Sequence, residues 1–160
     1  MERYERSVRV RAPFEVVWEF HSSVDGLVAL TPGWMNLEID ECRGPSGEMD
    51  PEVLEPGATI RSSIRPLGVG PRQRWLSTIT DRERGDGTGY FVDEMAEGPF
   101  THWTHTHSFY EDGSETVVRD RIEYELPLGT LGSLIGPLAV VGFDPMFRYR
   151  HSRTRKLLEK

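Results

Sequence analysis

Cysteine and lysine are both scarce in this 160-residue chain. A single cysteine, Cys42, excludes an internal disulfide and any Cys-x-x-Cys metal or redox pair. With no basic helix start beside it, Cys42 reads as an inert residue. Lys156 and Lys160 are the only lysines, and the formal charge is −7, so general affinity for nucleic acid is not expected. No Gly-x-Gly-x-x-Gly follows a strand pattern, and no Gly-x-Ser-x-Gly, P-loop, His-Glu-x-x-His or zinc-ribbon spacing occurs. The charged opening Met1–Arg6 has no apolar stretch behind it, which predicts no secretory signal and a cytoplasmic location. Charge is also missing from Leu126 to Phe143, a run nearly long enough to span a membrane. Pro127, Pro137 and four glycines interrupt it. The run is therefore expected to be a kinked helix on the protein's own sheet, with transient membrane contact as the alternative.

What is present is a folded composition, 37% hydrophobic and 10% aromatic, and the length suits one domain over residues 1–160. Tyr4–Arg11 alternates as a strand, and Phe14, Val17, Trp18 and His21 then fall at helical spacing after Pro13. Ser23 or Asp25 is expected to cap a second short helix that Pro32 stops. Strands are predicted over 34–43, 58–65, 72–82, 89–95, 100–110 and 116–126, with Asp112-Gly113 the strongest hairpin signal. The rest, from about Thr130, reads as helix, kinked at Pro137 and restarting at Asp144-Pro145. This order gives an α+β fold, in which a curved antiparallel sheet closed by one long C-terminal helix leaves a cavity.

The densest chemistry lies in Gly98-Pro99-Phe100-Thr101-His102-Trp103-Thr104-His105-Thr106-His107-Ser108-Phe109. Side chains alternate along a strand, so Trp103, His105, His107 and Phe109 share one face. A bulge near Gly98 would exchange that set for His102 and its companions. Two aromatics with two imidazoles make a wall that can hold an apolar ligand and hydrogen-bond to it. His105 and His107 lie about 7 Å apart along the backbone. With Asp93 or Asp120 they could bind Zn²⁺ or Fe²⁺; the plainer alternative is a polar network in which Asp120 pairs with Arg74, Arg119 or Arg121. Trp18, Phe91, Phe100 and Met95 read as core, as do Met146, Phe147 and Tyr149. Trp75 alternates with the small Ser77 and reads as a ligand contact. Arg148, Arg150, Arg153, Arg155 and Lys156 read as a solvated helix face, with an anionic lipid head group as the alternative contact.

Several of these segments together resemble one superfamily. They are Ala12-Pro13-Phe14-Glu15-Val16-Val17-Trp18, Leu30-Thr31-Pro32, Phe91-Val92-Asp93-Glu94, and Gly98-Pro99-Phe100 with Trp103, His105, His107 and Phe109. Asp120-Arg121, Tyr124-Glu125-Leu126-Pro127 and Phe147-Arg148-Tyr149-Arg150 complete the set. The chain is similar to START-like (SRPBCC) proteins, and within them to stand-alone polyketide cyclase/dehydrase-like ligand-binding members. Glu94 stands where Gln is more usual. The resemblance implies a helix-grip fold, with a sheet of about six to seven strands wrapped around a long C-terminal helix and two short helices after the first strand. It implies a cavity but no single chemistry. Some relatives carry an epimerase domain, whose dinucleotide motif this chain lacks.

The leading expectation is a carrier or sensor of a small hydrophobic or amphipathic, lipid- or polyketide-like ligand, without a cofactor. Its contacts are expected at Trp75, Asp93, Trp103, His105, His107, Phe109, Asp120 and Tyr124. A cyclase or dehydratase is the alternative, with His105 or His107 as general base and Asp120 orienting it. A third class is a module that meets a membrane or a partner protein through residues 126–143.

Overall fold

The structure, a computed structural model, describes residues 1–129 and 140–160. Strand β1 (Glu2–Val10) leads into helices α1 (Phe14–His21) and α2 (Val24–Leu30). Strands β2 (Glu38–Arg43), β3 (Thr59–Ile64), β4 (Gln73–Gly85), β5 (Thr88–Glu97), β6 (His102–Asp112) and β7 (Glu115–Glu125) follow, then helix α3 (Val140–Leu158). All seven strands form one antiparallel sheet in the order β1-β7-β6-β5-β4-β3-β2. Register shifts in β4, at Leu76/Ser77 and Ile79/Asp81, and in β2, at Ile39/Glu41, bend the sheet. The result is a concave face that α1, α2 and α3 cover, the helix-grip α+β arrangement.

Local chemistry explains the elements. Pro13 precedes α1 in an extended conformation, and Ser23 Oγ accepts from the Gly26 amide at 3.2 Å to cap α2. Asp112-Gly113 turns as expected, with Gly113 at φ +63°. The strand predicted over 34–43 is shorter, because Gly33–Met35 form a 3₁₀ turn and Asn36 adopts a left-handed conformation before β2 begins. Asp144-Pro145 does not restart a helix: both residues lie inside α3. Proline there removes one hydrogen bond near the start of the described helix, and the packing of later turns holds it. The kink expected at Pro137, and most of the proposed interaction surface over 126–143, fall on 130–139, outside the described residues. Among the described residues, no helix is long and apolar enough to cross a membrane.

Two apolar clusters hold the sheet to its helices. Val10, Phe14, Val17, Trp18, Phe91, Phe109 and Val118 pack at one end; Tyr4, Trp103, Ile122, Tyr124 and Phe147 pack at the other. Phe147 carries α3 onto β1, its ring 5.4 Å from that of Tyr4, whereas Tyr149 faces outward, 38% exposed. Gly89 on β5 lies directly under the Trp18 ring, and a Cβ at that position would meet Trp18 Cζ3 at 2.7 Å. Gly89→Ala is therefore expected to cost about 1–3 kcal/mol in urea denaturation, through displacement of a buried indole. A loss under about 0.5 kcal/mol would show that Trp18 yields freely.

Candidate functional site

Strand β6 keeps an unbroken register with β5 from Glu94↔Thr104 to Thr88↔Tyr110, and with β7 along its whole length. No bulge intervenes, so the side-chain parity read from the sequence survives, and Trp103, His105, His107 and Phe109 all point inward. Directly across the ladder, His105 faces Asp93 and Ile122, while His107 faces Phe91 and Asp120. The hydrogen bonds run diagonally instead. His105 Nε2 donates to Asp120 Oδ1 at 2.8 Å, and His107 Nε2 donates to Asp93 Oδ2 at 2.7 Å. The directly opposed pairs stay longer, with His105 Nδ1 3.7 Å from Asp93 Oδ2 and His107 Nδ1 3.5 Å from Asp120 Oδ1, so each carboxylate lies beside both imidazoles. Leaning along these diagonals stacks the two rings at 3.6 Å between centroids, much closer than their spacing along the strand. Phe91 stacks on the other face of His107 at 4.1 Å.

A third histidine completes the array. His151 Nε2, on α3, donates to Asp120 Oδ2 at 2.6 Å, so each oxygen of that carboxylate holds one imidazole. The Ser77 hydroxyl donates to Asp93 Oδ1 at 3.1 Å. Burial pushes the Asp93 carboxyl up, but hydrogen bonding from His107 and the neighbouring imidazoles outweigh it and hold the group below its ordinary range. Asp120 is also raised by burial. The bonds from His105 and His151, with the charge of Arg150, bring it well below the usual range. Burial, then the proximity of His105, lowers His107 to about 4. At neutral pH His107 is thus uncharged and donates through Nε2, leaving Nδ1 as an acceptor with no hydrogen-bond partner. Burial likewise lowers His21 to about 3; the ring sits 2.8 Å from the Val17 carbonyl and packs on Phe109.

This array forms part of the wall of a cavity of about 380 Å³ between the sheet, α2 and α3. Leu27, Leu30, Ile60, Ile64 and Ile79 supply its apolar lining, and Phe143, Met146 and Phe147 its α3 side. Of the residues expected to touch a ligand, Trp75, Asp93, Trp103, His105 and His107 line the cavity. Phe109, Asp120 and Tyr124 do not. Phe109, 0% exposed, is core between Trp18, His21 and Phe91; Asp120 sits behind the histidines; Tyr124 backs the aromatic group of Phe100 and Phe143. Asp120 pairs with histidines rather than with Arg74, Arg119 or Arg121: Arg119 donates to the Tyr110 hydroxyl and Arg121 to Glu123. Phe91, expected as core, is both core and wall. Sequence reasoning does not bring His21, His151 and Arg150 into this region. A signal for two of them exists, since Phe147, Arg150, His151 and Thr154 are the buried stripe of α3 at helical spacing.

Asp93, His105 and His107 present ligand atoms within 4.8 Å of one another, so Asp93, not Asp120, is the carboxylate that could join them around an ion. Two imidazoles coordinating one ion need ring planes that converge on it. Here the rings lie face to face with 29° between planes, and each Nε2 is bound to a carboxylate. That geometry favours a hydrogen-bonded wall over a metal centre.

Residues 10–146 match the sequence profile of the family described as polyketide cyclase/dehydrase and lipid transport. Among solved structures, a protein from Thermus thermophilus is 21% identical, with a TM-score of 0.57 over 96% of this chain and 97% of that one. A point mutant of norcoclaurine synthase from Thalictrum flavum, in complex with a transition-state analogue, is 18% identical, with a TM-score of 0.66 over 98% and 93%. A START superfamily protein from Mycobacterium smegmatis is 15% identical, with a TM-score of 0.59 over 97% and 98%. At these identities the likeness is one of fold. No curated protein matches the chain.

Proposed function

Since the chain belongs to the polyketide cyclase/dehydrase and lipid transport family, we propose that it binds a small hydrophobic or amphipathic molecule between its sheet and α3, as a carrier or sensor. The observation that supports this most directly is the cavity of about 380 Å³, lined largely by apolar side chains of α2, β3 and α3, with Asp93, His105, His107 and Arg150 among its polar groups. A space of this size suits a drug-sized ligand, and a few polar groups on an apolar wall orient such a molecule. Trp75 and Trp103, perpendicular to each other with centroids 4.9 Å apart, offer a ring and an edge for an aromatic or extended chain.

Filling the space tests this. Ile64 lines the cavity from β3, and Ile64→Trp places an indole in it. The uncharged fluorophore N-phenyl-1-naphthylamine is expected to bind the natural protein saturably with a blue-shifted emission, and the variant at least about tenfold more weakly, a difference of about 1.4 kcal/mol. Absence of saturable binding to the natural protein, or equal binding by the variant, would overturn the reading.

One observation favours a second reading, a cyclase or dehydratase acting on a polyketide-like precursor. His107 lines the cavity with its Nε2 anchored on Asp93 and its buried Nδ1 free of a hydrogen bond, 3.5 Å from Asp120 Oδ1, so a small shift of the ring would give a carboxylate-supported imidazole as general base. Turnover lost on His107→Gln, with N-phenyl-1-naphthylamine binding retained, would establish it.

A further inference from the structure

One cation is built into the wall of this cavity. Arg150 lies on the buried stripe of α3, 8% exposed, and lines the cavity with Phe147. Its guanidinium stands 5.8 Å from the centroid of the Phe147 ring, a placement that holds it over an aromatic face. Its Nε has no hydrogen-bond partner, and among the described residues no carboxylate lies within ion-pair distance of the group. Asp120 is near enough to feel its charge, but both Asp120 oxygens are taken by His105 and His151. Asp93 is equally committed, to His107 and Ser77. An arginine stays protonated when buried, and a buried charge without a partner is costly. The fold keeps this one where an occupant of the cavity can reach it.

We infer that the ligand is an anion, an apolar body ending in a carboxylate or a comparably delocalised oxyanion, whose charged end docks on Arg150 while its body lies against Leu27, Leu30 and Ile60. This rests on the ligand-binding reading above and narrows its chemistry. The planar fork of a guanidinium matches a carboxylate with two parallel hydrogen bonds, a pairing an alcohol or amide cannot reproduce. Neighbouring His21 and His107 are uncharged at neutral pH, and the Asp93 and Asp120 carboxylates are already bonded to imidazoles, so Arg150 is the group on which a ligand's charged end can dock at this end of the cavity.

Calorimetric titration at pH 7 with 2-naphthoate and with 2-naphthamide, equal in ring and differing in charge, tests it. The natural protein is expected to bind naphthoate at least about tenfold more tightly than the amide. Arg150→Met is expected to abolish that preference while leaving the amide's affinity within about twofold, and Arg150→Lys to keep part of it. Equal affinity for the two probes in the natural protein, which needs no variant to fold, would overturn the inference and leave the cavity reading standing. A preference that survives Arg150→Met would overturn it as well. Failure of both probes to bind would sink both readings.

Discussion

Asp120→Ala is expected to lower stability by about 3–5 kcal/mol, because it leaves buried polar groups without their charged partner. Asp120 is 2% exposed and holds two imidazoles, one from β6 and one from α3. Its removal orphans the Nε2 of both His105 and His151, frees His105 to slip from its stack on His107, and strips Arg150 of a neighbouring negative charge. It also unlinks α3 from the middle of the sheet. For a protein of this size the loss corresponds to a fall in Tm of roughly 6–20 °C, readable by circular dichroism at pH 7. Asp120→Asn keeps one acceptor oxygen and the shape, and is expected to lose less. An alanine variant within about 1 kcal/mol of the natural protein would mean that the histidines find other partners.

Acidification is the second large effect, and its direction follows from the buried imidazoles. His107 titrates near 4 and His21 near 3 in the folded protein, both below the ordinary 6.5. Between pH 6.5 and those values the unfolded chain takes up protons that the folded chain refuses, so stability falls as pH falls. At about 1.36 kcal/mol per unit, His107 alone accounts for about 3 kcal/mol between pH 6.5 and 4. Asp93 and Asp120 act in the same direction at lower pH. Their folded carboxyls lie below the ordinary value, so the unfolded chain protonates first and their contribution is lost last. Urea denaturation is expected to give a plateau above pH 7 and a steady decline below 6.5, and His21→Phe is expected to flatten part of that decline. A midpoint unchanged down to pH 4.5 would show that both histidines take protons while folded.

Much of this architecture is legible in the residues. Alternation over β6 and β7 places Trp103, His105, His107, Asp120 and Tyr124 inward, and the unbroken ladder between these strands is why parity alone suffices. Depth along a face is not legible. Phe109 and His107 share one side of β6, yet one meets α1 and the other a cavity, because the sheet is bent and its helices cover different stretches. Tyr124 is hidden behind a neighbouring ring for the same reason. Arg150 and His151 escape a reading that equates charge with exposure. Their spacing with Phe147 and Thr154 already describes a buried helical stripe, and only its polarity conceals it. The α2 side of the cavity, with Leu27 and Leu30, comes from how elements distant in sequence meet, which no local pattern encodes.

The pairing of β1 with β7 governs how a newly made chain completes itself. Glu2 lies against Tyr124 and Val10 against Thr116, so β1 leaves the ribosome long before the strand it needs. Strands β3 to β7 join neighbours in sequence and can pair as they emerge, whereas β1 closes a loop spanning most of the chain, a slow contact by its separation alone. During that interval a bare β1 is an invitation to pair with another copy. Glu2, Arg3, Glu5, Arg6 and Arg9 fill the strand with charge of both signs, the composition that keeps an unpaired strand in solution and discourages aggregation. In the finished fold β1 remains an edge of the sheet, where the same charges, some of them paired, such as Arg9 with Asp112, go on discouraging a second copy.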